Sequence, residues 1–127
     1  MQHLLHKSQF DAVLGTRSAL SKVARSEHFF VHRLQITPEN AAVFPTEIAF
    51  EAFVGVMCPK RFAKRAVTRN LIKRQIYALT TETPLAPAAY VVRLKAPFDK
   101  AHFKSASSDA LKRTVRAQLQ TLFANFV

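Results

Sequence analysis

Apolar residues recur at helical spacing near the start of the chain. In "SQFDAVLG" (8–15), Phe10, Val13 and Leu14 lie at positions i, i+3 and i+4, which places them on one face of a helix. The segment opens with a serine that is suited to cap the helix, and an aspartate follows three residues later in capping-box position. Gly15 is suited to end the helix.

A longer apolar stripe lies near the other end of the chain. Its members recur every three to four residues: Leu111, Val115, Leu119 and Leu122. Ser107 or Ser108 is a candidate N-cap, and the negative charge of Asp109 in the first turn would interact favourably with the helix dipole. The pattern predicts a final helix that packs on the core.

Three segments rich in β-branched and aromatic residues predict strands: "HFFVHRLQI" (28–36), "EIAFEAFVGVM" (47–57) and "YVVRL" (90–94). A further short strand could occupy 18–25. Alternation in the first segment divides its side chains between two faces: Phe30, His32, Leu34 and Ile36 on one, and Phe29, Val31 and Arg33 on the other.

Residues 62–79 contain neither Pro nor Gly and are predicted to form a central helix, followed by a proline-containing loop. Two apolar stripes compete for its buried side, Val67, Leu71 and Ala78 against Ile72, Ile76 and Leu79, and the pattern does not choose between them. The element order α-β-β-(β)-α-β-α indicates an α+β protein, a two-layer α/β sandwich forming one domain over residues 1–127.

The charge of the chain says more about its partners than its length does. The chain has 127 residues, 49% of them hydrophobic, with 19 Lys and Arg against 8 Asp and Glu, for a net charge of +11. That balance indicates a polyanionic partner. There is no apolar run long enough to span a membrane, no signal-peptide pattern, and a single cysteine, Cys58, so a reduced, cytoplasmic setting is expected.

The positive charge is concentrated in "KRFAKRAVTRNLIKRQIY" (60–77), which contains no acidic residue. Arg65, Arg69 and Lys73 are spaced four apart, so on a helix they would form an exposed ladder of like charge. A solvated helix face is the ordinary interpretation of such a run. Because no acidic residue is interspersed to pair with these cations, nucleic-acid binding is favoured, although composition does not separate RNA from DNA.

The residues that carry chemistry in nucleases do not form a recognisable set. The carboxylates are scattered, the five histidines lack metal-ligand spacing, and the chain has only two glycines, too few for a phosphate-binding loop. Cys58 beside a proline is expected to be a small buried residue. His32 is either structural or a weak RNA contact.

A family resemblance begins in the same region. "FVGVMCP" followed by "KRFAKRAVTRNLIKR" resembles the signature of the protein subunit of bacterial ribonuclease P, with its strand entering a basic helix around Arg-Asn-Arg-x-Lys-Arg. "SQFDAVL", "FFVHRL", "YVVRLKAP" and "LQTLF" are similar to other segments of that family in the same order. Leu71 stands at the third position of the motif, and Leu14 stands in place of a second phenylalanine.

The resemblance implies a fold with an unusual left-handed β-α-β crossover, as in domain 2 of ribosomal protein S5. It implies that the RNA subunit is the catalyst, that Mg²⁺ is needed by the RNA-based holoenzyme, and that the protein holds no cofactor and supplies no catalytic residue. The implied partners are the ribonuclease P RNA and precursor tRNA, and the protein by itself is expected to be a monomer.

Site residues carry over by position. The implied RNA-binding residues are Lys60, Arg61, Lys64, Arg65, Arg69, Asn70, Lys73 and Arg74. The implied cleft for the 5′ leader of precursor tRNA is lined by Phe10, Leu14, Val31 and Arg33. Two alternatives remain open at this point: a basic ribosomal or ribosome-assembly protein with no part in an enzyme, and a DNA-binding module.

Overall fold

A computed structural model describes residues 2–15, 21–37, 43–44, 52–98 and 109–126. The elements in chain order are β1 (Gln2–His3), α1 (Lys7–Gly15), β2 (Ser21–Arg25), β3 (Phe29–Leu34), β4 (Phe53–Met57), α2 (Ala66–Glu82), β5 (Ala89–Leu94) and α3 (Asp109–Ala124). The predicted α+β order is confirmed, including the short strand in 18–25. Strand β1 was not predicted, because two residues are too few to show a periodicity.

The strands form one five-stranded sheet in the order β1-β4-β5-β3-β2. Strands β1, β4 and β5 run parallel, whereas β3 runs antiparallel to β5 and β2 antiparallel to β3. The longest pairing joins β3 to β5, from Phe29 opposite Leu94 to Leu34 opposite Ala89. The most apolar strands, β4 and β5, therefore lie in the interior of the sheet, where both of their faces can be covered.

Helices cover the two faces of the sheet unequally. On one face, α2 and α3 pack against side chains that include Val54, Tyr90 and Val92, and the predicted apolar stripe of α3 is fully buried there. On the other face, the nine-residue α1 packs Val13 into a smaller cluster with Leu34 and other residues. Because α1 is short, part of this face of the sheet is only half-buried by the described residues, as at Phe30, Met57 and Arg93.

The connection from β4 through α2 to β5 is left-handed. Viewed from the α1 side with β4 running upward, an L-residue whose side chain faces the viewer directs its N–H to the right. Phe53 is such a residue, since its side chain packs on the α1 side and its N–H donates to the Ala88 carbonyl at 2.8 Å, next to β5. In this view β5 lies to the right of β4 and α2 passes behind the sheet, so the crossover is left-handed. About 98% of such parallel connections are right-handed.

The central helix occupies Ala66–Glu82 rather than the predicted 62–79. Its start is delayed because the Pro59 carbonyl accepts the N–H groups of Phe62 and Ala63 in a turn, and Arg65 has extended backbone angles of φ −85° and ψ 132°. It continues to Glu82, and near this end three threonine hydroxyls donate to carbonyls of the preceding turn: Thr80, Thr81 and Thr83.

Burial decides between the two apolar stripes of α2. Ile72, Ile76 and Leu79 are buried, whereas Val67 is 45% exposed. Leu71 is also buried, at 5% exposure, so this position of the motif belongs to the core and is not available to contact RNA.

Other boundaries differ in smaller ways. Helix α1 begins at Lys7, so Ser8 lies inside its first turn and not at the cap position predicted for it. The Gln9 side chain reaches back and accepts the N–H groups of Leu5 and His6, which precede the helix. The strand predicted over 28–36 is shorter, and the one predicted over 47–57 begins at Phe53. Residues 47–51, together with Ser107 and Ser108, lie outside the described residues. Within the described part of the chain, no helix is long and apolar enough to cross a membrane.

Candidate nucleic-acid interface

The segment Pro59–Arg65, called here the basic turn, presents cations on a fixed backbone. The Pro59 carbonyl closes the turn, and Ala63 anchors it through a buried side chain. Phe62 packs on the core while the Arg61 guanidinium lies over its ring, 4.7 Å from the centroid. Four charged side chains of the turn are exposed: Lys60, Arg61, Lys64 and Arg65.

Arg69 stabilises the basic turn from the first part of α2. Its Nη1 donates to the carbonyl oxygens of Ala63 and Lys64, both at 2.9 Å, and the side chain is half-buried. The prediction of a ladder exposed along its whole length is therefore wrong at Arg69, its middle residue. Arg69 holds the turn against the helix.

The remaining motif residues lie on the outer surface of α2. Asn70, Lys73 and Arg74 are exposed. Lys73 lies near Cys58, whose thiol is mostly buried at the end of β4. Burial raises the pKa of Cys58 to about 11, against the opposing effect of Lys73 and then Arg69, so the thiol is neutral at physiological pH. The sequence predicted a small buried residue here, and the side chain is partly buried.

The surface on the α1 face of the sheet, where Phe10 of α1 meets β4, is called here the cleft. Phe10 lies directly over Gly55, where an added Cβ would come within 2.6 Å of the phenylalanine ring. Glycine at this position thus lets the ring of Phe10 approach the sheet closely. Phe10 and Leu14 are both half-buried and pack against the α1-side cluster.

Val31 and Arg33 do not line this cleft, and that part of the prediction is wrong in geometry. Val31 is completely buried on the opposite face, and the Arg33 guanidinium lies 5.2 Å from the ring of Phe126, which packs on that face too. Alternation along β3 puts Phe30 and His32 beside the cleft instead. Both sets of alternating residues can be recognised in the sequence, but the face that α1 occupies cannot.

Phe30 is the centre of a basic pocket. Three cations surround its ring, with Arg93 at 4.8 Å, Lys95 at 5.0 Å and Arg25 at 5.7 Å from the centroid. The pocket has a volume of about 220 Å³. Its lining also includes the end of β4 and the basic turn, so it connects the cleft to the turn: Phe30, Met57, Pro59, Arg61, Phe62, Arg93, Leu94 and Lys95.

His32 lies next to Phe30 in the cleft, with ring centroids 5.8 Å apart. Its Nε2 is buried and has no hydrogen-bond partner among the described residues. Burial, and then the charge of Arg93, lowers the pKa of His32 below its ordinary value of 6.5. The imidazole is therefore neutral at physiological pH, with one ring nitrogen able to donate and the other to accept.

The described residues contain no group of three His, Cys, Asp or Glu side chains that could hold a metal ion. The interface instead combines exposed cations on the basic turn and α2 with aromatic rings in the cleft. Cations can neutralise phosphates, and rings can stack on unpaired bases. This chemistry is suited to single-stranded and irregular RNA.

Comparisons with known proteins agree on one family. The family model of ribonuclease P matches residues 1–122. The chain is 36% identical over 122 residues to the ribonuclease P protein components of Bordetella parapertussis and Bordetella bronchiseptica, covering 94% of this chain and 87% of theirs. It is 35% identical over 107 residues to that of Ralstonia pickettii, covering 83% of this chain and 67% of the relative.

Solved structures have the same fold at much lower identity. The RNase P protein of Staphylococcus aureus superimposes with a TM-score of 0.68 at 13% identity, over 98% of this chain and 94% of that one. The RNase P protein from Thermotoga maritima gives 0.68 at 17% identity, over 100% and 99%. At these identities the structural similarity establishes the fold, left-handed crossover included, and no more.

Proposed function

This chain belongs to the ribonuclease P family as its protein component, and from that membership we propose how its surfaces act. The protein is a subunit of the ribonucleoprotein endonuclease that processes tRNA, its partner is the RNA subunit, and catalysis belongs to that RNA. These relationships favour ribonuclease P over the ribosomal and DNA-binding alternatives. What remains to assign is which surface meets which RNA.

The first assignment is that the basic turn and the outer surface of α2 bind RNA phosphates. The observation that carries it is the clamp from Arg69 to the carbonyls of Ala63 and Lys64, because it fixes the backbone that carries the cations of the turn before any partner arrives. A preorganised backbone loses less conformational entropy on binding. The contacting residues in this proposal are Lys60, Arg61, Lys64, Arg65, Asn70, Lys73 and Arg74, with Arg69 behind them.

The second assignment is that the cleft binds the 5′ leader of precursor tRNA. A leader is single-stranded, so its bases are free to stack on rings, and stacking tolerates any sequence. Phe10 and Phe30 supply the rings, and Arg93 and Lys95 supply charge for the backbone. The lining proposed here is Phe10, Leu14, Phe30, His32, Arg93 and Lys95, without Val31 and Arg33.

The remaining assignments are coarser. The chain acts as one RNA-binding domain, a monomer when free, in the cytoplasm where precursor tRNA is processed. Mg²⁺ is a cofactor of the RNA-based holoenzyme. The proposal gives the hydrolytic step to the RNA subunit and none of it to the side chains of this protein.

Reconstitution tests the function directly. The protein is added to ribonuclease P RNA at low Mg²⁺ concentration, and cleavage of precursor tRNA is followed against RNA without protein and protein without RNA. We expect the protein to raise cleavage by the RNA and to cleave nothing by itself. Preferential binding to ribosomal RNA, with no effect on cleavage, would instead support the ribosome-assembly alternative.

A matched pair of arginines tests the cleft. Arg93 and Arg33 lie on neighbouring strands but face opposite sides of the sheet. Arg93→Ala should weaken holoenzyme binding to precursor tRNA more than to mature tRNA, which has no leader. Arg33→Ala should leave the ratio of the two affinities unchanged. Equal effects of the two substitutions on that ratio would refute the revised lining.

A further inference from the structure

An aromatic pair lies beside the basic surface of α2 and is not used by the two assignments above. The imidazole of His3 in β1 stacks on the ring of Tyr77 in α2, with centroids 3.9 Å apart and planes inclined by 16°. The His3 side chain is exposed, whereas Tyr77 is half-buried. One face of the imidazole is therefore covered by tyrosine, while the residue as a whole is open to solvent.

Both rings are fixed from behind. Tyr77 packs on the main core, and burial raises the pKa of its hydroxyl against a hydrogen bond with the Val56 backbone. His3 is held by the parallel ladder to β4, where it pairs with Val54 and where the next N–H, of Leu4, donates to the Val54 carbonyl at 2.9 Å. An imidazole whose backbone is held and which already stacks on a tyrosine ring loses less conformational freedom when it receives a third planar group.

The surroundings of the pair indicate which planar group it suits. Lys73 lies one turn before Tyr77 on α2, about 6 Å along the helix axis, and Arg74 is adjacent to Lys73; both are exposed. A cation for the phosphate and a ring for the base, one helical turn apart, are the two parts of a contact to a single nucleotide in an unpaired strand.

We propose that the His3–Tyr77 pair is a stacking platform for an unpaired RNA base, with Lys73 and Arg74 contacting the adjoining phosphates. The inference rests on the proposed binding of RNA by α2, and it adds a base contact to what is otherwise a surface for phosphates. The base comes either from the RNA subunit or from precursor tRNA. A competing role, in which the stack only anchors β1, predicts no effect of the ring on RNA affinity.

Three substitutions at His3 separate these roles. His3→Phe keeps an aromatic ring, His3→Leu keeps apolar contact with Tyr77 but has no aromatic face, and His3→Ala removes both. We expect His3→Phe to bind RNA like the unchanged protein, and both His3→Leu and His3→Ala to bind roughly 5- to 100-fold more weakly. His6→Ala, which removes another exposed imidazole nearby, is the matched control and should bind normally.

The salt dependence adds a second criterion. Loss of a stacked base removes no phosphate contact, so the slope of log K against log salt concentration should not change in the His3 variants. A slope reduced by about 0.7–0.9 in His3→Phe and His3→Leu alike would mean that the imidazole binds a phosphate as a cation. That result would overturn the stacking proposal.

The chain contains no tryptophan, so His3→Trp introduces a single fluorescent reporter at the platform. Its emission should be quenched when RNA binds, because the indole stacks on the base. Leu5→Trp is the control, since Leu5 is 77% exposed. If the His3→Trp signal changes no more than the Leu5→Trp signal, no base reaches the platform.

The source of the base follows from which RNA produces the effect. Loss of affinity for the isolated RNA subunit assigns the base to that subunit, and loss confined to the holoenzyme with precursor tRNA assigns it to the substrate. Normal affinity of His3→Leu for both would refute the platform and leave the proposed function intact. Failure of the unchanged protein to bind ribonuclease P RNA would refute the proposed function itself.

Discussion

Arg69 shows how a charged residue in an RNA-binding motif can act inside the protein. Its two hydrogen bonds reach carbonyls of the basic turn that lie before the first residue of α2. The side chain of the N-cap residue, Arg65, makes no capping bond to the described part of α2, so Arg69 is the side chain that joins the turn to the helix. Its removal should therefore affect folding as well as binding.

We expect Arg69→Ala to lower the free energy of unfolding by about 1–2 kcal/mol, since hydrogen bonds from a charged group are lost at a partly exposed site. Arg74→Ala, at an exposed position of the same helix, should change it by less than about 0.5 kcal/mol. Urea unfolding of both variants at one salt concentration measures the difference. Equal stability of the two variants would contradict the clamp.

The buried thiol of Cys58 predicts how the stability of the protein depends on pH. The unfolded thiol titrates at its ordinary pKa of 9.0, but burial raises the folded pKa to about 11. Between these values the unfolded chain binds fewer protons than the folded one, so stability falls as the pH rises through this range. The loss attributable to Cys58 should approach about 2 kcal/mol.

Cys58→Ala is the comparison that isolates this effect. Tyr90 also has a raised pKa and titrates in both proteins, so its contribution cancels. The pKa of Tyr77 is raised by burial and in part by the charge of Cys58, so that part of its contribution belongs to the measured difference. The free energies of unfolding of the two proteins should converge as the pH rises from neutral to about 11, because the unchanged protein loses the stabilisation that its buried, neutral thiol provides. A constant difference across this range would show that the thiol is not buried as described.

At the scale of elements, α2 divides a basic motif between surface and core. Leu71 stands at the third position of the motif, and it is only 5% exposed among core residues. Leu71→Arg should therefore destabilise the protein by about 3 kcal/mol or more, because it buries an unpaired charge. Val67→Arg, at a position that is 45% exposed, should be tolerated. Thermal unfolding of the pair provides the measurement.

The approach of α1 to β4 makes a second prediction at this scale. A Cβ at Gly55 would come within 2.6 Å of the Phe10 ring, so Gly55→Ala should displace that ring without removing it. The preference of the holoenzyme for precursor over mature tRNA should then fall several-fold, because Phe10 is proposed to stack on bases of the leader. Gly15→Ala, whose added Cβ meets no described atom within 4 Å, is the control. An unchanged preference in Gly55→Ala would separate Phe10 from leader binding.

At the scale of the whole molecule, the net charge of +11 governs association. If four to six of the exposed cations meet phosphates, log K for the RNA subunit should fall with log salt concentration at a slope of roughly −3 to −5. Binding titrations across a range of monovalent salt give this slope. A flat response would mean that the basic surface is only solvated.

The sequence by itself determined the elements whose signals are local. The stripe from Leu111 to Leu122 predicted α3, and the apolar run around Val91 predicted β5. The absence of acidic residues in 60–77 indicated a surface for nucleic acid. Periodicity and charge are carried by neighbouring residues, so they can be recognised without knowing the fold. The family resemblance added two further predictions, RNA as the partner and the left-handed crossover.

Only the tertiary structure decided which face of each element is used. Alternation grouped Phe30 with His32 and Val31 with Arg33, but the position of α1 chose the first pair for the cleft. Spacing of four put Arg69 in a ladder, but the turn at Pro59 brought two carbonyls within its reach. His3 and Tyr77 are 74 positions apart, and the β1–β4 ladder brings them together. A face or a contact of this kind depends on packing between distant segments, and no single stretch of the sequence determines the free energy of that packing.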